Sequence, residues 1–174
     1  MTRIHLITGG VRSGKSEYAE QTVLTHAAQN GARPLYIATA QIYDEAMRQR
    51  VELHRKRRAD RWDLAEELTD PGKLNISGRI VLIDCMTLWL TNIFFQNNED
   101  VTSSFSNFEE NFRHLLYGNA DTIYIVTNEI GLGGVAANPM QRKFADLQGW
   151  ANQIVARVAD SVTMMVCGLP MKIK

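Results

Sequence analysis

The 174 residues carry 19 lysines and arginines against 19 aspartates and glutamates, with 45% hydrophobic and 22% charged side chains. That balance excludes collagen-like, disordered and disulfide-knot classes, and it argues against a dedicated nucleic-acid binder, whose field would have to come from a local patch. Two cysteines, Cys85 and Cys167, cannot build a disulfide framework or a four-cysteine zinc site; no apolar run approaches the roughly 20 residues of a membrane span, and signal-peptide order is absent, so one cytoplasmic domain over 1–174 is expected.

In chain order, Arg3-Ile4-His5-Leu6-Ile7-Thr8 is a short apolar run ending at Gly9-Gly10 and predicts a buried strand. Helical composition follows from Lys15 to about Asn30, where Asn30-Gly31 is a stop signal. Leu35 to Thr39 predicts a second strand, and Tyr43 to about Arg58 a helix. Pro71-Gly72 and Ser77-Gly78 bracket a turn-rich piece. Ile80 to Ile83, ending at Asp84, predicts the third strand. Leu88 to Phe95 reads as a helix, Gln96 to Asn107 as a polar loop, and about Phe108 to Tyr117 as another helix. Thr122 to Thr127 predicts a fourth strand, and Gly131, Gly133, Gly134 and Pro139 mark a loop. Met140 to about Asp160 is a long helix, and Val162 to Val166 the last strand. Short strands apolar on both faces, alternating with helices, predict a three-layer α/β domain around a mostly parallel sheet. Ligands in such sheets sit at the carboxyl ends of strands, where Thr8, Thr39, Asp84, Asn128 and Glu129 stand.

Gly9-Gly10-Val11-Arg12-Ser13-Gly14-Lys15-Ser16 fits G-x-x-x-x-G-K-[ST] between a predicted strand and a predicted helix. The glycines let successive backbone N–H groups face a phosphate, and the helix behind adds its positive end. Lys15 would reach the outer phosphates and the Ser16 hydroxyl would hold Mg²⁺, with Asp84 placing a carboxylate near the same ion. A guanine-reading Asn-Lys-x-Asp segment is missing, as is a D-x-x-G switch after the third strand. A small-molecule P-loop kinase and a nucleotide-dependent binding module both remain open.

Within the helix expected from Tyr43, Met47, Val51, His54 and Arg58 follow i, i+4, i+7, i+11 and share one face. Arg50, Arg57 and Arg58 surround His54 within a turn, and a cationic surround keeps an imidazole neutral and nucleophilic. Three readings of this segment compete: a solvated basic helix, a nucleic-acid patch, and a histidine that accepts a phosphoryl or nucleotidyl group.

The chain resembles the bifunctional adenosylcobinamide kinase / adenosylcobinamide-phosphate guanylyltransferase family, the CobU family, essentially end to end. The resemblance begins with Thr8 to Ser16 and continues through Tyr36-Ile37-Ala38-Thr39-Ala40-Gln41. It includes the spacing of Arg50, His54, Arg58, Trp62 and Glu66, then Leu82 to Asn92, Val126 to Gly133, and Arg142, Phe144, Asp146, Gly149, Asn152 and Gln153. It implies a RecA-like fold and a homotrimer. It implies phosphorylation of adenosylcobinamide by ATP or GTP in a first reaction. In a second, GMP passes from GTP through a guanylylated His54 to adenosylcobinamide phosphate. Lys15 and His54 are then the catalytic pair and Ser16 with Asp84 the Mg²⁺ ligands. The nucleotide site comprises Gly9, Gly10, Val11, Arg12, Ser13, Gly14, Lys15, Ser16, Thr39, Ala40, Gln41, Arg55, Lys56, Arg57, Arg58, Glu66 and Asp84.

The remaining candidates have plainer readings. His5 is expected to be structural, His26 and His114 solvent-facing, and Cys85 and Cys167 buried thiols at strand ends. No histidine pair has metal-ligand spacing. Trp89, Phe94 and Phe95 suit a core role or an interface. Asn128 and Glu129 are read either as catalytic or substrate-contacting residues or as ordinary strand-end polar groups.

Overall fold

A computed structural model describes residues 2–41, 45 and 59–174. Apart from residue 45, the helix expected from Tyr43 to Arg58, with His54, Arg50 and Arg55 to Arg58, lies outside the described residues. The strands are β1 (Arg3–Gly9), β2 (Leu35–Ala38), β3 (Asp63–Glu66), β4 (Ile80–Asp84), β5 (Thr122–Val126), β6 (Ser161–Val166) and β7 (Leu169–Lys172). They form one sheet in the order β3-β2-β4-β5-β1-β6-β7. Every neighbouring pair is parallel except β6 with β7. The described helices are α1 (Lys15–Gln29), α2 (Met86–Gln96), α3 (Val101–Tyr117) and α4 (Pro139–Val158), with short 3₁₀ turns between elements. The expected three-layer, mostly parallel architecture is the observed one.

Period-two alternation sorts the strand side chains into two cores. Ile4, Leu6, Ile37, Val81, Ile83, Ile123 and Ile125 face α2, α3 and α4. Ile7, Tyr36, Leu82, Tyr124 and Val126 turn the other way, onto Ala19, Val23 and Ala27 of α1 and onto Trp62. The first core is rich in large rings. Trp89 meets Phe108 at 4.9 Å, Phe108 stacks on Phe112 at 5.8 Å, and Phe94 meets Phe144 edge-on at 5.6 Å. Each such buried side chain contributes about 1.5–3 kcal/mol. Trp89 and Phe94 are thus core residues, while Phe95 is 49% exposed.

Three elements depart from the sequence reading. Residues 101–107, expected as loop, are the first two turns of α3. Asp100 caps them by accepting the Ser103 N–H at 2.8 Å, and Phe105 packs edge-on against Trp150. Poor intrinsic propensity of the Ser/Thr/Asn run is overridden by a cap and tertiary burial. β3 was not recognised because Asp63-Leu64-Ala65-Glu66 is an edge strand paired only with β2, half of it exposed. β7 was missed too, so Val162 to Val166 is not the last strand. β7 is exposed throughout and contains Pro170, which an edge strand tolerates. The Cys167-Gly168 turn joining it to β6 has positive φ at both residues, 52° and 81°, as a two-residue hairpin of this twist requires. Cys167 is therefore an exposed turn residue and not a buried thiol.

The histidines are more engaged than expected. His5 stacks on Tyr124 at 4.8 Å and shares a hydrogen bond with Ser161 Oγ at 2.7 Å. Burial holds its pKa below the usual histidine value. His26 is half-buried, with Nδ1 3.1 Å from the Tyr124 hydroxyl. His114 is exposed but pairs with the buried Asp70 carboxylate at 3.1 Å.

Candidate active site at the carboxyl edge of the sheet

Parallel strands end together, so the register fixes which terminal residues are neighbours. Glu66 lies opposite Ala38, Ala38 opposite Asp84, and Asp84 opposite Val126. β1 ends beside them at Gly9, and the chain turns through Gly10–Gly14 into α1. The turn demands glycine at two places. A Cβ on Gly9 (φ +148°) would lie 2.6 Å from the Met165 carbonyl oxygen and 2.8 Å from Ser13 Oγ. Gly14 has φ +94°, and its Cβ would lie 3.3 Å from Gly168 Cα.

The loop is held from two sides. The Glu129 N–H donates to the Gly9 carbonyl at 3.1 Å, and the Gly168 N–H donates to the Ser13 carbonyl at 3.1 Å. The β6–β7 turn, invisible to motif reading, is thus a buttress of the loop. Lys15 folds over it, Nζ donating to the Gly10 carbonyl at 2.6 Å, and is 8% exposed. Desolvation lowers the Lys15 pKa, opposed by the negative charge of Asp84. Burial pushes the neighbouring Cys85 thiol up to about 12, with the Asp84 charge adding to the effect. At neutral pH that thiol is uncharged, so Asp84 is the anion that Lys15 faces.

Ser16 and Asp84 come together as the motif suggests. Ser16 Oγ lies 3.4 Å from Asp84 Oδ1, while Asp84 Oδ2 accepts from the Tyr36 hydroxyl at 2.8 Å. The first distance is long for an O–H···O bond. It is close to the roughly 3 Å that separates two oxygens on one octahedral Mg²⁺. Two hard oxygen donors beside a phosphate loop are the chemistry such an ion takes, so these residues fit it.

Thr39 has a different situation from its loop neighbours. It is fully buried, its Oγ1 donates to the Cys85 carbonyl at 2.8 Å, and it accepts the Cys85 N–H at 3.0 Å. Its own carbonyl accepts from Asn92 Nδ2 at 2.8 Å. Thr39 therefore ties β2 to the end of β4, and only Ala40 and Gln41 continue outward. Glu66 is exposed at the tip of β3. The structure brings Gly9–Ser16, Asp84, Thr39, Ala40, Gln41 and Glu66 to one sheet edge. His54 and Arg55, Lys56, Arg57 and Arg58 lie outside the described residues.

Asn128 and Glu129 stand on a polar network that the sequence reading did not assemble. Asn128 donates its N–H and Nδ2 to Thr87 Oγ1 at 3.0 and 3.1 Å. Thr127 Oγ1 donates to Asn152 Oδ1 at 2.8 Å, and Gln148 Nε2 donates to both, at 2.9 and 3.0 Å. Asn152 Nδ2 then reaches the Asn128 carbonyl at 3.1 Å and Glu129 Oε2 at 3.5 Å. A signal was available: Gln148 and Asn152 are an i, i+4 polar pair inside the apolar stripe Leu147, Ala151, Val155.

A phosphate loop behind a parallel strand, with a serine and an aspartate at its mouth, defines the class of P-loop nucleotide-binding proteins. The profile of the family described as cobinamide kinase / cobinamide phosphate guanyltransferase matches residues 5–173, and the chain belongs to that family. It is 39% identical to the bifunctional adenosylcobalamin biosynthesis protein CobP of Pseudomonas aeruginosa, over 97% of this chain and 96% of that one. It is 32% identical to the bifunctional adenosylcobalamin biosynthesis protein CobU of Escherichia coli, over 97% and 98%. Among solved structures, the KaiC-like protein PH0186 of Pyrococcus horikoshii OT3 aligns with a TM-score of 0.49 at 14% identity, over 93% of this chain and 71% of that one.

Proposed function

We propose that the chain is a bifunctional enzyme of cobalamin biosynthesis that phosphorylates adenosylcobinamide with ATP or GTP and then transfers GMP from GTP to the phosphorylated product. The observation that carries this reading is a phosphate loop covered by Lys15, with Ser16 and Asp84 oxygens 3.4 Å apart beside it, in a member of this family. In the first reaction the acceptor hydroxyl oxygen attacks the γ-phosphorus, the γ-phosphorus–oxygen bond to the diphosphate breaks, and the hydroxyl proton leaves to a base. The loop N–H groups and Lys15 hold the phosphates in line and neutralise developing charge. Mg²⁺, held by Ser16 and Asp84, supplies further neutralisation when bound.

In the second reaction an imidazole nitrogen of His54 attacks the α-phosphorus of GTP and pyrophosphate leaves. A phosphate oxygen of the acceptor then displaces the imidazole, the phosphorus–nitrogen bond breaks, and adenosylcobinamide-GDP forms. His54 enters from the family resemblance, as do the nearby Arg55 to Arg58 and the roles of Ala40, Gln41 and Glu66. A cytosolic homotrimer belongs to the same reading. Among the described residues no helix is long and apolar enough to cross a membrane.

The test is incubation with GTP labelled at the α-phosphate. An acid-labile, alkali-stable protein adduct is expected, lost in His54→Ala while cobinamide phosphorylation persists. Phosphorylation without an adduct in the unmodified chain would leave only a small-molecule kinase. Absence of both activities would sink the enzyme reading and favour a binding module.

A further inference from the structure

A groove of about 340 Å³ lies between α2 and α4, lined among others by Thr91, Phe95, Ile130, Ala136, Phe144 and Ala145. Its size and composition, mostly apolar with the polar ends of Thr91 and Gln141 added, are those of a small-molecule site. It opens to solvent rather than lying in the core: Phe95 is 49% exposed, and Leu132 and Val135, on the loop that carries Ile130, are 73% and 89% exposed. Exposed apolar side chains gathered beside a cleft mark a binding surface.

Two walls of the groove are tied to the phosphate site through the chain and its hydrogen bonds. Ile130 directly follows Glu129, whose N–H is bonded to Gly9. Thr91 stands one turn beyond Thr87 and donates to its carbonyl at 2.8 Å, while the Thr87 hydroxyl holds Asn128. Thr91 is five residues past Met86, where α2 begins beside Asp84, about 7.5 Å along the helix at the helical rise. A bound molecule could therefore place a polar arm at the phosphate loop and an apolar body in the groove.

We propose that this groove seats one apolar edge of the acceptor macrocycle, with the hydroxyl-bearing arm running back along α2 to the phosphate loop. The inference rests on the cobinamide reading above. The volume is too small for a whole macrocycle, so the groove grips an edge. Methyl groups on that edge meet Phe95, Ile130 and Phe144, and peripheral amides meet Thr91 and Gln141. The competing occupant is a second copy of this chain, and the experiment separates the two.

Ala145→Trp and Ala136→Trp fill the groove from opposite walls. Steady-state phosphorylation of cobinamide is measured with each, together with GMP uptake from GTP alone and sedimentation velocity. The expected result is a KM for cobinamide raised at least tenfold in both variants, with kcat within about threefold. GMP uptake, which needs no acceptor, and the sedimentation coefficient stay at wild-type values. A cobinamide KM within twofold of wild type in variants that still take up GMP overturns the proposal. So does a change of assembly state without a change in KM, which would make the groove a subunit contact. A wild-type chain that takes up GMP but does not phosphorylate cobinamide defeats the functional reading itself, a failure distinct from that of the groove. Where one variant loses GMP uptake and its circular dichroism together, it has lost its fold and the other variant decides.

Discussion

Thr39→Val separates two roles for one residue. The resemblance puts Thr39 in the nucleotide site, whereas the structure commits its hydroxyl to the backbone of Cys85. Valine keeps the shape and β-branching, so no cavity opens and the strand end is not disturbed. Two hydrogen bonds are lost, but the losses are unequal. The Cys85 carbonyl still accepts the Trp89 N–H at 3.1 Å, so it is not orphaned. The Cys85 N–H loses Thr39 Oγ1, its bond into β2, and leaving a buried donor unpaired costs about 1–3 kcal/mol. Adding about 0.5 kcal/mol, a fraction of an ordinary bond, for the second loss gives about 1.5–3.5 kcal/mol. For a chain of this size that lowers Tm by roughly 3–14 °C. Urea and thermal unfolding measure the first quantity, and GTP-dependent kinetics measure the second. The expected outcome is reduced stability with a GTP KM within about threefold of wild type at a temperature where the variant is folded. Unchanged stability, within about 0.5 kcal/mol, combined with a tenfold rise in GTP KM would refute the structural role and return Thr39 to the nucleotide.

Lys15→Met should abolish stabilisation by GTP, which in the parent chain is about 2.7 kcal/mol at 100 Kd by calorimetry. The ligand-free variant should be no less stable than the parent, because burial disfavours the ammonium. The sign follows from linkage: with the folded pKa below the ordinary 10.5, the unfolded chain binds more protons in that alkaline window, so the Lys15 contribution to stability rises with pH there and vanishes in the variant. The cysteines should differ in reactivity. Iodoacetamide at pH 8 should modify the exposed Cys167 much faster than the half-buried Cys85, whose raised pKa keeps it a thiol, as mass spectrometry of the native protein would reveal. Modification of native Cys85 at the same rate would contradict the raised pKa of this half-buried thiol. In the network under Asn128, Gln148→Leu should cost at most about 1 kcal/mol, since Thr127 and Asn152 remain bonded to each other. Asn152→Ala, which strips partners from Thr127 and from the Asn128 carbonyl, should cost about 2–3 kcal/mol and lower kcat more than it raises the GTP KM. Equal effects of the two substitutions would show that the network does not act through Asn152.

Elements defined by local chemistry were legible in the chain. β1, the phosphate loop and α1 follow from an apolar run, a glycine-rich turn and helical composition, and Asn30-Gly31 stops the helix where expected. β4 ends at Asp84 for the same reason, because four apolar residues must be buried before a carboxylate can emerge. Elements defined by neighbours were not legible. β3 and β7 are strands because an existing sheet edge offers them hydrogen bonds, and their own residues carry little burial signal. The first turns of α3 are helical because Asp100 caps them and Trp150 receives Phe105.

The site divides along the same line. The sequence alone determined that Gly9–Ser16 is a glycine-rich turn between a strand and a helix, that Lys15 and Ser16 stand at its end, and that the overall charge neutrality conceals two runs of cations, at residues 12–15 and 50–58 of the sequence. Contiguous residues suffice for this, since a loop's backbone geometry is set by its own glycines. The meeting of Asp84 with Ser16 was expected from the motif, but only the tertiary structure decided that Tyr36 holds the other Asp84 oxygen and that Gly168 and Glu129 clamp the loop. It also decided that Thr39 serves β4 and that Gln148 and Asn152 fix the Thr127–Glu129 segment. These partners are 20 or more residues apart along the chain. Strand order and register bring them together, and both are set by the burial of two separate cores rather than by any local pattern.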